Sequence, residues 1–189
     1  MDFKKEIKAY YASLIDTIQK LDIDELNEVM NVILAHYKKG SDIYVFGNGG
    51  SSATASHMMV DFNKGACLNA EQKFNFHCLN DNVPTLMAIA NDLSFDDVFA
   101  YQLHHRLTKD DLVIAISGSG NSKNIIKAVE YAKSMSCQVI GITGYSGGKL
   151  FSLADYHMHA PISDMQIVED VHMSFDHMMM HIFTHFLSK

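Results

Sequence analysis

Ile43-Tyr44-Val45-Phe46-Gly47-Asn48-Gly49-Gly50-Ser51-Ser52 and Leu112-Val113-Ile114-Ala115-Ile116-Ser117-Gly118-Ser119-Gly120-Asn121-Ser122 share one plan. Each is a short apolar run, then a turn of small residues, then a stretch with helical periodicity. A strand that ends in such a turn and opens into a helix makes an anion site. Its backbone N–H groups point outward, and the helix dipole favours negative charge. Glycine lets a ligand approach the main chain, and serine hydroxyls add donors. One turn of this kind is often only a connection. Two in one small chain, with Ser117, Ser119 and Ser122 in the second, point to a phosphorylated ligand held without arginine. The first turn lacks the Gly-Lys-Ser/Thr of a Walker loop, and Ser52 stands where a dinucleotide fingerprint has its third glycine, so no nucleotide cofactor is expected.

Outward from these turns, near-continuous β-branched runs at 43–46, 112–116 and 138–142 read as strands buried on both faces. Weaker strands are predicted at 73–78 and 155–159. Helices are predicted at 51–63, 83–91, 95–107, 122–134 and 166–187. Alternating strands and helices imply right-handed βαβ units, a parallel sheet and a three-layer α/β sandwich. Before residue 41, apolar positions at helical spacing predict an N-terminal helix pair, 3–20 and 24–38, stopped at Gly40. The expected organisation is one domain over 1–189, with the helix pair at 1–40 and the α/β core at 41–189. A third glycine turn, Gly144 to Gly148, reads as a simple turn at the same sheet edge.

The 189 residues suffice for one sizeable core. With 48% hydrophobic and 20% charged residues, the chain is globular rather than disordered. A net charge of −7 and the lack of a Lys/Arg run disfavour nucleic acid as a partner. The N-terminus does not read as a signal peptide, and no apolar run is long enough to span a membrane. Cys67, Cys78 and Cys137 form no CxxC, which suits reduced thiols in a cytoplasmic protein. Ligand chemistry then falls to Ser, Asn, Asp, Glu and His. His57 and Asp61 share a helix face at i,i+4; alone they read as a hydrogen-bonded histidine and a solvated acid. The last helix carries Glu169, His172, Asp176 and His177 among Met and Phe residues. Glu169 and His177 lie roughly 12 Å apart along the axis, a spacing that brackets a sugar-length substrate more easily than it chelates one ion. Asn91 and Asp92 fall at a helix break, where Asp92 reads as a cap or as an acceptor for a polyol.

Together GNGGS (47–51), ASH (55–57), AND (90–92), ISGSGNS (116–122), ITGYSGG (142–148) and EDVHMSFDH (169–177) resemble the sugar isomerase (SIS) domain, and within it the phosphoheptose isomerases. The resemblance covers nearly the whole chain. It implies a five-stranded parallel sheet, a homotetramer with active sites at subunit interfaces, and conversion of sedoheptulose 7-phosphate to a heptose 7-phosphate through an enediol. By position, Ser51, Ser117, Ser119 and Ser122 would hold phosphate, and Asn48, Gly49, Gly50, Asn91 and Asp92 would line the sugar. Gly118 stands where the family has threonine. The family's catalytic glutamate aligns with Asp61, its glutamine with Glu169, and its histidine acid/base with His177. Some members bind zinc through positions that here are His57, Asp61, Glu169 and His177, a donor set suited to a divalent ion. Other SIS proteins only bind phosphosugars, as regulators or scaffolds. One of these, the DnaA initiator-associating protein, lacks the late histidine that this chain keeps as His177. An isomerase of another sugar phosphate fits the serine turns equally well.

Overall fold

Strand β3 (Leu112–Ser117) is buried at every position, and β1 (Asp42–Gly47) at all but its first. Strands buried on both faces belong at the middle of a sheet, and these two pair directly, Ile43 beside Leu112 and Gly47 beside Ile116. The computed structural model describes residues 1–188. It adds β2 (Asn75–Cys78), β4 (Gln138–Thr143) and β5 (Tyr156–His159) to make one parallel sheet in the order β2-β1-β3-β4-β5. The chain leaves β1 for β2 on one side and joins β3 on the other. That reversal opens a crevice at the carboxyl ends of β1 and β3, the switch point where α/β sheets bind ligands.

The helices are α1 (Lys4–Gln19), α2 (Ile23–Lys39), α3 (Gly50–Val60), α4 (Val83–Asp92), α5 (Ala100–Leu103), α6 (Lys123–Ser134), α7 (Gly148–Leu153) and α8 (Met165–Leu187). Alternate strand residues feed two cores. Ile43, Val45, Ile114 and Ile142 pack with α2, α3 and α8, whereas Tyr44, Phe46, Val113 and Val139 pack with α5, α6 and α7. The two N-terminal helices pack less on each other than on the rest: α2 lies on β5 and α1 leans on α8. Asp22 caps α2 by accepting from Asp24 and Glu25 N–H, and Gly40 ends it in the left-handed region at φ 69°. Among the described residues, no helix is long and apolar enough to cross a membrane.

Three segments differ from the sequence expectation. The helix predicted at 51–63 stops at Val60 and continues as a π-helical turn, Asp61–Ala66. That turn puts Phe62 into an aromatic cluster with Phe74, Phe76 and Phe183. It also aims the Asn63 amide at the outer edge of β2, where it donates to Phe76 O and accepts from Phe76 N–H, both at 2.9 Å. The helix predicted at 95–107 is a 3-10 turn, Phe95–Asp97, followed by the short α5. Asp97 is drawn aside there by Ser94 and by Lys127 of α6, each at 2.6 Å. The turn at Gly144 to Gly148, predicted as a simple connection, launches α7.

His172 fixes α8 to the sheet, with its Nε2–H donating to Thr143 O at 2.9 Å. Its other nitrogen is buried without a partner, and burial pushes the imidazole down to about 4 from its ordinary 6.5. The unfolded chain therefore takes up a proton below pH 6.5 that the folded chain refuses, and this contribution to stability falls as pH drops toward 4. His172→Gln keeps the donor and removes the titration. The stability gap between wild type and variant should narrow by about 2 kcal/mol between pH 7.5 and pH 5 in urea titrations. An unchanged gap would refute the assignment.

Candidate active site

A cavity of about 270 Å³ occupies the switch-point crevice, lined by Asn48, Gly49, Gly50, Ser51, Ser117, Gly118, Ser119 and Ser122, with Met165 and Glu169 of α8 closing it. A larger one of about 450 Å³ lies by β2 and touches neither glycine turn; Tyr44, His77, Cys78 and Arg106 are in its wall. The switch-point cavity receives the N-termini of α3 and α6. Asp22, Asn82 and Asp164 cap α2, α4 and α8 with their side chains, whereas Gly49 and Ser122 leave the first turns of α3 and α6 uncapped. Two helix ends without an N-cap side-chain bond thus face one space, although Ile125 N–H is taken by Asn124 Oδ1, and the local field there favours an anion.

Reciprocal amide pairs hold the two turns in register. Asn48 and Asn124 exchange hydrogen bonds of 2.8 and 3.0 Å across the crevice. Asn80 does the same for the main chain of Gly47 at 3.1 and 2.9 Å. Within the second turn, Ser117 Oγ accepts from Gly120 N–H and stands 3.5 Å from Ser122 Oγ, so these two hydroxyls converge. The third turn supports the second from behind. Gly144 N–H donates to Gly118 O and Leu150 N–H to Gly120 O, each at 2.9 Å. Gly120, at φ 65°, touches the Gly147 carbonyl so closely that any side chain would displace it.

Helices α3 and α8 run side by side in the same direction. At their N-terminal ends Gly50 meets Glu169, and a Cβ on Gly50 would overlap the Glu169 carboxylate. Two turns further along, His57 Nε2 and His177 Nε2 stand 3.3 Å apart, and His57 Nε2 is 3.4 Å from Asp61 Oδ2. Asp176 completes this second cluster: a ligand atom from each of His57, Asp61, Asp176 and His177 lies within 4.8 Å of the others. Asp176 is fully buried, and among the described residues neither carboxylate oxygen has a hydrogen-bond partner. Burial, and second the charge of Asp61, push its carboxyl up to about 7. A tetrahedral ion with bonds of about 2.0–2.1 Å would set its ligand atoms about 3.3–3.4 Å apart, the separations found around His57.

The structure therefore brings Asn48, Gly49, Gly50, Ser51, Ser117, Gly118, Ser119, Ser122 and Glu169 into one wall, and His57, Asp61 and His177 into a neighbouring cluster. Glu169, expected among the metal ligands, lines the cavity beside Gly50. Asn91 and Asp92 do not line the cavity. Helix α4 runs on through both, leaving them exposed and hydrogen-bonded to each other at 2.9 Å. Sequence reasoning missed the roles of Asn80, Asn124 and Met165. It saw Asp176 on a helix stripe without assigning it work, although a lone acid beside Phe175 on an apolar face was the available signal.

Comparison with known proteins agrees with this architecture. The SIS domain pattern matches residues 6–144, and the chain belongs to that family. It is 32% identical over 184 residues to the phosphoheptose isomerase of Aliarcobacter butzleri, covering 97% of this chain and 96% of that one. It is 34% identical over 158 residues to a probable phosphoheptose isomerase of Thermoplasma acidophilum, covering 84% and 86%. Among solved structures, a phosphoheptose isomerase from Francisella tularensis superposes with a TM-score of 0.89 at 26% identity, covering 98% of this chain and 100% of that one. The enzyme from Neisseria gonorrhoeae gives 0.88 at 26%, covering 96% and 98%.

Gly118, where the family resemblance expects threonine, is filled from α8. A Cβ there would sit 2.7 Å from Met165 Sδ and 3.4 Å from Val168 Cγ1. Gly118→Thr alone should lower stability by about 1–3 kcal/mol through overpacking. Combining it with Met165→Ala should recover most of that loss. Thermal melts of the two single variants and the double variant check this; strictly additive losses would refute the contact.

Proposed function

We propose that the chain is a phosphosugar aldose–ketose isomerase that converts sedoheptulose 7-phosphate to D-glycero-D-manno-heptose 7-phosphate through an enediol. One observation carries the reading: two uncapped helix N-termini and a serine turn share a cavity with a carboxylate on its opposite wall. The first half binds a phosphate dianion with backbone and hydroxyl donors. In this reading the second half supplies a general base beside the sugar. The names of the relatives, all phosphoheptose isomerases, support the same choice of substrate.

In this reading Ser51, Ser117, Ser119 and Ser122 seat the phosphate, and Asn48, Gly49 and Gly50 line the sugar. Glu169 takes the proton from the carbon beside the carbonyl and returns it to the neighbouring carbon, while a second proton passes between the two oxygens. Asp61 and His177 stand further along the groove. They either hold a divalent ion such as zinc together with His57 or carry the oxygen-bound proton themselves. A bound ion there supplies Lewis acidity toward sugar oxygens. Glu169→Gln should lower kcat at least about 100-fold with a smaller change in KM, measured on sedoheptulose 7-phosphate with and without zinc. Failure of the wild-type protein to turn over this or related ketose phosphates would sink the proposal. A stoichiometric protein partner in its place would favour a binding role.

A homo-oligomer, with a tetramer as the expected form, belongs to the same reading. Phe3, Ile7, Tyr11 and Ile15, spaced four apart along α1, are each 54–59% exposed, an apolar stripe that needs a partner. Tyr10 on α1 donates to Asp170, next to Glu169, at 2.5 Å, so assembly through α1 would bear on the site. Met87, Leu93 and Phe95 near Asn91 and Asp92 are also exposed, which supports a second contact between copies in this reading. The free thiols of Cys67, Cys78 and Cys137 support a cytoplasmic location. Replacing Ile7 and Ile15 together by Glu should shift the light-scattering mass from oligomer to monomer. An unchanged mass would rule out α1 as the interface.

A further inference from the structure

We propose that Asp176 is the fourth protein ligand of a divalent metal ion held with His57, Asp61 and His177, and that Glu169 lies outside the ion's shell. The step rests on a carboxylate that has no other employment. Asp176 is fully buried, and both of its oxygens lack partners. An unpaired buried carboxylate is costly to keep ionised, and here it is aimed at two imidazoles and a second carboxylate. Two neutral imidazoles and two carboxylates balance a dication, so the buried charge is matched by the ion it holds.

Helix geometry explains how Asp176 reaches this place while the Glu169 carboxylate rests against Gly50. Seven residues separate Gly50 from His57 on α3, and seven separate Glu169 from Asp176 on α8. Seven residues advance a helix by about 10.5 Å and return to nearly the same face. Side by side, the two helices therefore meet twice on matching faces. The first meeting sets Glu169 against Gly50 at the cavity. The second sets Asp176 and its neighbour His177 against His57 and Asp61. The acid on the upper face is left to the substrate, and the acid on the lower face closes the ion's shell.

The probe is Zn²⁺ itself, without substrate, so the result is separable from the isomerase reading. Competition with a chromophoric chelator gives the affinity of wild type, Asp176→Asn and Glu169→Gln. Asp176→Asn should weaken Zn²⁺ by more than the roughly 10–100-fold typical of losing an outer-shell partner, and Glu169→Gln should change it far less. Thermal melts keep the test independent of misfolding. In chelator Asp176→Asn should melt above wild type, because a buried unpaired charge is gone. With excess Zn²⁺ the order should reverse. Co²⁺ should give the intense visible bands of four-coordinate geometry in wild type and lose them in Asp176→Asn. No Zn²⁺ binding by wild type, equal losses in the two variants, or wild-type affinity in Asp176→Asn would each overturn the proposal.

Discussion

Everything at the site depends on how closely α3 and α8 approach. Gly50 leaves room for the Glu169 carboxylate to lie against α3, where a Cβ would make that carboxylate swing aside. Two parallel helices in contact at one point meet again two turns later. The first contact sets the Glu169 carboxylate against the first glycine turn, and the second sets two histidines edge to edge. Gly65 does the same service lower down, where a Cβ would sit 2.5 Å from Met180 Cε. Both glycines thus make room for side chains of α8, and the candidate site residues are distributed along the seam between the two helices.

The sheet supplies the other half of the arrangement. Its switch point lies between β1 and β3, the two strands whose turns are richest in glycine and serine. Neither turn would hold its shape alone. The Asn48–Asn124 pair ties them together, and the third turn braces the second through main-chain bonds. The anion cradle is therefore a shared product of three strand ends, which keeps its donors rigid without any charged residue of its own.

Much of this was legible in the sequence because it follows from local rules. Unbroken β-branched runs reveal central strands, and turns after them reveal the ligand edge. The roughly 12 Å rise between Glu169 and His177 already suggested two positions that bracket a sugar-length substrate. What was not legible arises from contacts between distant segments. The π-helical turn at Asp61 has no composition signature; it is imposed by packing Phe62 among rings from β2 and α8. The break of the predicted helix after Phe95 reflects a tertiary ion pair to Lys127. The work of Asp176 depends on which helix lies opposite, and no helical pattern records that. Asn91 and Asp92 were matched by motif to the sugar, yet their direction is set by the continuation of α4.

Asn63 has a consequence for how copies of the molecule can join. Its amide occupies one donor and one acceptor on the outer rim of β2, and so mimics the next strand. A rim sealed in this way offers no template for strand addition. Growth of the sheet from one molecule into the next is closed off on that side. On that side, any contact between copies would rest on side-chain surfaces, which can be tuned residue by residue and come apart without tearing a β-ladder.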